Sequence, residues 1–303
     1  MSIESRAPAV PPPVDPPPAG QGTATSLTGA VVARDGTSLR TRTWTPSGPT
    51  WARLLLVHGI AEHSGRYERT GALLAAGGVE VSAFDLRGFG ASGGPRASVS
   101  RWADYLDDVQ ERLATLPLDL PRILMGHSMG GLIALTYVLD HRPPPDLLVL
   151  SSPALGDSAP GFFHVAAPWL ARVAPSLRLS NGLQASQLAT DPAVGVAYFA
   201  DPLVVPRTTT RLAAQMFAAM GRARRDAAGL TIPTLVTQGS DDTIVPPAST
   251  ELLGHLPGVE RRLYPGLRHE TLNEPSGPQV VAEILAWLRA MVSSRPPLDR
   301  PDG

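Results

Sequence analysis

The chain has 303 residues, 43% of them hydrophobic and 17% charged, with a formal net charge of -1 and no cysteine. That length and apolar content suffice for a sizeable core, as one large domain or one domain carrying an insertion. The near-zero charge offers no basic surface for nucleic acid, and the missing cysteines exclude disulfides, thiolate metal sites and a thiol nucleophile.

Residues 1–26 carry proline runs (VPPPVDPPP) where a secretory leader would need a basic start and an unbroken apolar stretch. A disordered or polyproline leader is expected there, and a flexible tail over 294–303, framing a main domain at 27–293. No apolar stretch reaches the roughly twenty residues that span a bilayer. A cytoplasmic location is the default expectation, with peripheral membrane contact left open.

From residue 27, two runs rich in Val and Thr flank Asp35-Gly36, the mark of a hairpin. Residues 52–59 (ARLLLVHG) form an unbroken apolar run, as a strand covered on both faces requires. A regular alternation follows: helix 66–78, strand 79–85, helix 101–116, strand 122–126, helix 131–141 and strand 146–152. Parallel neighbours need crossovers long enough to hold a helix, so this rhythm predicts an α/β class, a mostly parallel sheet with helices on both faces.

After Pro153 the rhythm stops for about seventy residues of helical, apolar text with no strong strand, read as an inserted helical cap over about 156–229. A strand at 232–242, a helix at 248–256, a strand at 260–266 and a helix at 278–292 then restore the pattern.

The chemistry concentrates at the breaks between these elements. Gly126-His127-Ser128-Met129-Gly130 matches Gly-x-Ser-x-Gly with a strand before it and a helix after it. In that context the glycines have a cause: the turn is too tight for neighbouring Cβ atoms, and it pushes the serine hydroxyl out at the helix N-terminus. The plainer reading is a glycine-rich turn with an incidental serine. A serine nucleophile needs a base, and the base an orienting acid, in the chain order Ser, Asp, His. Asp241 and Asp242 stand just past one strand and His269 just past the next, the sheet edge where such folds build sites.

Of the other histidines, His58 is expected to shape its loop, and His127 lies on the wrong side of the elbow to reach the hydroxyl. His141, His164 and His255 fall on helical or cap segments and suit packing or surface roles. No metal-ligand spacing and no Gly-x-Gly-x-x-Gly or Walker-type loop is present, so neither a metal nor a nucleotide cofactor is expected.

The motif GHSMGG at 126–131 is joined by HGIAEHSGRY at 58–67, DLRGFGASGG at 85–94, GSDD at 239–242 and RHETLNEP at 268–275. Together they resemble the α/β-hydrolase fold and, within it, the monoacylglycerol lipase and lysophospholipase family, grouped with serine aminopeptidase-like hydrolases. The resemblance runs from about 27 to 292. It implies Ser128 as nucleophile, His269 as general base, and Asp242 as the orienting acid with Asp241 as fallback. The backbone N–H groups of Ile60 and Met129 are the implied oxyanion hole.

The implied activity is hydrolysis of carboxylic esters through an acyl-enzyme, with monoacylglycerol as the leading substrate. Lysophospholipids, broader esters or thioesters are the enzymatic alternatives, a cofactor-free haloperoxidase is a minor one, and a non-catalytic binding protein of the same fold is the alternative of another class. Epoxide hydrolases and haloalkane dehalogenases need a carboxylate where Ser128 stands.

Glu62 and Arg66 fall in the loop that the resemblance places near the head-group pocket; an ion pair fastening the oxyanion loop is favoured over substrate contact, and Asp85 and Arg87 are expected to lock turns. In the cap, Phe162, Phe163, Trp169 and Leu170 are expected to line an acyl channel or lie on a lipid surface, with ordinary packing accounting for about half of these residues. Leu272 occupies a position where some relatives carry a second histidine for the leaving group, which weakens the case for glycerol.

Overall fold

The computed structural model describes residues 26–294. Apart from Ser26 and Ser294 at their inner edges, the leader and the tail expected from the sequence fall outside these residues. The chain opens with β1 (Leu27–Val32) and β2 (Ser38–Trp44), an antiparallel hairpin whose turn uses Gly36 at φ 86°. Strand β3 (Ala52–Val57) follows, then α1 (Glu68–Ala76), β4 (Val79–Phe84), α2 (Trp102–Ala114), β5 (Arg122–His127), α3 (Met129–Leu139) and β6 (Leu147–Ser151).

Beyond β6 the chain leaves the sheet for an insert made of α4 (Phe162–Val173), β7 (Arg178–Ser180), α5 (Ala185–Leu188), α6 (Pro192–Ala200) and β8 (Arg207–Thr209). Helix α7 (Thr210–Asp226) brings it back to β9 (Thr234–Gly239), and α8 (Glu251–Gly254), β10 (Val259–Tyr264) and α9 (Gly277–Ser293) complete the fold.

Eight of these strands make one sheet in the order β1-β2-β4-β3-β5-β6-β9-β10, parallel from β4 to β10 and antiparallel only at β1 and β2. From β3 the chain steps one way to β4, then crosses back to β5 on the other side. Right-handed crossovers therefore place α1 on one face and α2, α3 and α7 on the other. The core divides accordingly: Leu74 of α1 and Ile284 of α9 share one cluster, while Tyr105 of α2, Leu132 of α3 and Leu212 of α7 share the second.

Helix α3 is apolar all round and buried from Met129 to Val138. A helix without a polar face needs cover on every side, and β5, β6, α2 and α7 supply it.

The insert, expected to hold no strong strand, contains two short ones. Strands β7 and β8 pair antiparallel, Arg178 opposite Thr209 and Ser180 opposite Arg207. Three-residue strands are too short to show alternation, and their pairing joins segments far apart in sequence, so no local signal marks them.

Trp44 shows how the antiparallel edge is fastened to the parallel body. It is fully buried, its Nε1–H donates to Glu68 Oε2 at 2.9 Å, and a Cβ on Gly71 of α1 would overlap its ring. Trp44→Ala should destabilise the fold by about 3–5 kcal/mol, read as a lower midpoint in denaturant titration with an unchanged slope.

Candidate active site

The switch from leftward to rightward connections lies between β3 and β5, and open α/β sheets present a crevice beyond the carboxyl ends of such strands. Two loops meet there: residues 58–67 after β3, and the turn at Ser128 between β5 and α3. The turn is forced by close approach. A Cβ on Gly126 would overlap the backbone of Gly130, and one on Gly130 would overlap the carbonyl oxygens of Val57 and His58.

Ser128 takes the strain at φ 53°, a left-handed value that residues with a Cβ rarely adopt. It is held on both sides: its N–H donates to Ser151 O at 2.9 Å, and its carbonyl accepts from Leu132 and Ala154, each at 3.0 Å. Met129 is the first residue of α3, so its N–H has no intrahelical acceptor.

Asp242 and His269 come from the loops after β9 and β10. His269 Nδ1–H donates to Asp242 Oδ2 at 2.8 Å, and both residues are buried. Asp242 Oδ1 is filled by the N–H groups of Ile244 and Val245, each at 2.9 Å. Burial would raise the Asp242 carboxyl, but His269 and these donors hold it below the usual carboxylate value. Burial would likewise lower His269; the carboxylate of Asp242, with those of Glu270 and Glu62 behind it, raises it above the ordinary histidine value of 6.5. Asp241, by contrast, is exposed and accepts from the Ser240 hydroxyl, so only the second aspartate reaches the histidine.

A small, partly open cavity brings these groups together. Ser128 and His269 line it with Gly59, Ile60 and Glu62 of the loop after β3, and with His127 and Glu270. Glu62 and Arg66 pair at 2.6 Å, and Glu62 Oε1 accepts from the N–H of Gly59 at 2.6 Å and from the Tyr67 hydroxyl at 2.7 Å. Burial would push the Glu62 carboxyl up, but Arg66 takes it down to about 2.

His58 ties the same loop inward, donating from Nδ1 to Gly59 O at 2.7 Å and accepting from Leu86 N–H at Nε2 at 2.8 Å. Asp85 accepts from Ser64 and from Ala91 N–H, and Arg87 makes two 2.7 Å contacts with Asp108.

His127, the neighbour of Ser128 in sequence, also faces the cavity. Its ring lines the cavity 4.9 Å from that of His269, and burial, then the charge of His269, lowers it to about 4, so it is neutral at pH 7.

Phe162, Phe163 and Trp169 do not reach this cavity. Phe162 is 63% and Trp169 61% exposed on α4, because that helix turns Ala167 rather than its aromatics inward. The insert instead contributes Leu183, Leu188 and Tyr198, with Ile244 opposite, none of them singled out from the sequence. Leu272 is a buried core residue beside Val280 and Ile284.

Comparison with known proteins identifies the family. The family model described as serine aminopeptidase, S33, matches residues 48–276. A monoacylglycerol lipase of Mycolicibacterium smegmatis is 34% identical over 254 residues, covering 81% of this chain and 90% of its own length. A monoglyceride lipase of Homo sapiens is 32% identical over 276 residues, 88% of this chain and 90% of that one. The crystal structure of Paleococcus ferrophilus monoacylglycerol lipase superposes with a TM-score of 0.76 at 32% identity, over 84% of this chain and 99% of that one. This chain belongs to the serine aminopeptidase S33 family of α/β-hydrolases, alongside the monoacylglycerol lipases.

Proposed function

We propose that the chain is a serine hydrolase that cleaves monoacylglycerol to glycerol and fatty acid. The observation that carries this reading is the buried His269–Asp242 pair at 2.8 Å, whose histidine lines one cavity with a strained Ser128 at a helix N-terminus.

In this reading Ser128 attacks the ester carbonyl as His269 Nε2 takes its proton, and Asp242 holds the tautomer and stabilises the imidazolium. The N–H groups of Ile60 and Met129 receive the oxyanion, and His269 returns the proton to the departing glycerol oxygen. Water activated by the same histidine then releases the fatty acid. The similarity to named monoacylglycerol lipases supports the choice of ester.

Among the described residues no helix is long and apolar enough to cross a membrane. The exposed apolar face of α4, with Phe162, Phe163, Val165 and Trp169, is proposed to rest on a lipid surface, which supplies a substrate that does not dissolve.

Release of glycerol from a medium-chain monoacylglycerol should be abolished in Ser128→Ala and fall by about 10³- to 10⁴-fold in Asp242→Asn. Hydrolysis of neither medium- nor long-chain monoacylglycerol by the wild type would sink the lipid assignment. The pH profile carries a second expectation. His269 works as a neutral base and its value is raised, so it stays protonated over a wider range and the acid limb of kcat/KM should centre above 6.5. A midpoint below that value would contradict the buried carboxylate arrangement. Third, the Phe162→Ser/Phe163→Ser double variant should bind lipid vesicles more weakly and hydrolyse long-chain substrate more slowly, while a soluble butyrate ester is cleaved at the wild-type rate. An equal loss on both substrates would count against this role.

A further inference from the structure

Glu270 follows the proposed base directly and has no part in the reaction as drawn above. Its carboxylate meets Arg66 through two hydrogen bonds, Nη1 to Oε1 and Nη2 to Oε2, both 2.7 Å. Arg66 Nη1 also donates to Glu62 Oε2 at 2.6 Å, and Glu62 Oε1 accepts from Gly59 N–H at 2.6 Å. Glu62 and Glu270 are buried and Arg66 is nearly so, and the guanidinium lies 4.6 Å from the centre of the Tyr198 ring. A continuous run of charge-assisted hydrogen bonds thus links the residue after His269 to the residue before Ile60.

The sheet makes such a link necessary. Ile60 follows β3 and His269 follows β10, and β5, β6 and β9 lie between these strands. No shared ladder sets the spacing of the two loops, so a lateral tie has to. A guanidinium gripped by a two-point contact fixes direction as well as distance, which a single ammonium would not.

We infer that Glu270 is a positioning residue which, through Arg66 and Glu62, sets the His269 ring against the Ile60 N–H. The inference rests on the serine-hydrolase reading. Two carboxylates around one guanidinium also leave a net negative charge beside the base. The groups facing His269 are Asp242 from the β9 loop, His127 from the end of β5, Glu62 from the loop after β3, and Glu270 itself. The charge of Glu270 acts with Asp242 to raise His269, so its removal lowers the base.

The test uses the full chain with p-nitrophenyl butyrate, a fluorophosphonate probe and thermal unfolding on three proteins: wild type, Glu270→Gln and Arg66→Lys. Glu270→Gln should lower kcat by about tenfold with KM changed by less than about twofold, and move the acid limb to lower pH. Arg66→Lys keeps the charge but loses the two-point grip. It should lower kcat by a similar factor with the acid limb in place, and it decides the matter alone if Glu270→Gln does not fold. A folded variant with wild-type kcat, or a loss carried by KM, overturns the inference while the underlying reading stands. A wild type that neither takes the probe nor cleaves the ester overturns both.

Discussion

Everything in this site depends on a packing constraint that has no polar chemistry in it: the N-terminus of α3 is driven against the ends of β3 and β5 with no space for a side chain. Gly130 faces the carbonyl oxygens of Val57 and His58, and Gly126 faces the backbone of Gly130. The chain between them turns through Ser128 at φ 53°, a conformation that costs on the order of 1–3 kcal/mol. The uniformly buried, apolar α3 offsets that cost, since withdrawing it from the sheet would expose Met129 to Val138 together. A strained serine at the cavity is thus a consequence of how tightly the helix is held, and the hydroxyl is aimed before any substrate arrives.

The parts of this arrangement that were legible in the sequence are those where an apolar run ends abruptly. Strands β3, β5, β6 and β9 are buried along nearly their whole length and each carries an apolar run (LLLV, ILM, LLVL and LV), so the polar residues that follow stand out. The choice between Asp241 and Asp242 is of another kind. Both follow β9, and only the fold shows one turned to solvent and the other held by Ile244 and Val245. Tyr198, Leu183 and Leu188 were illegible because they come to the cavity by docking of one distant segment on another. Phe162 and Trp169, expected either to line an acyl channel or to lie on a lipid surface, are exposed on α4 and absent from the cavity lining, a distinction that depends on which helix face they occupy. Glu270 sat in plain view beside His269, yet its partner lies 204 residues away.

The electrostatics of the cavity follow from burial more than from any single charge. Asp242 and Glu62 are held below the usual carboxylate value and His127 is kept neutral, while His269 is raised above the ordinary histidine value by the carboxylates around it. Each neighbour is pinned by partners of its own, so reorganisation on charging the imidazole is small, the condition under which fixed dipoles act most strongly on a developing charge.

The insert takes part in this fixing, and its two halves do different things. The segment around α5 and α6 is stitched to both loops that carry chemistry: Leu188 O accepts from Glu270 N–H at 2.7 Å, Asp201 meets His63 Nε2 at 2.8 Å, and Val205 N–H donates to Ala61 O at 2.8 Å. Moving that half as a body would pull on the loops holding His269 and Ile60 and disturb the spacing that catalysis needs. Helix α4, in contrast, packs on α7 and turns Phe162, Val165 and Trp169 outward. Exposed apolar side chains occur on both parts, Val196 and Phe199 on α6 as well as those of α4, but the hydrogen bonds to the loops of His269 and Ile60 come from the α5–α6 segment. Displacing α4 would therefore disturb the geometry at Ser128 less than displacing α5 and α6.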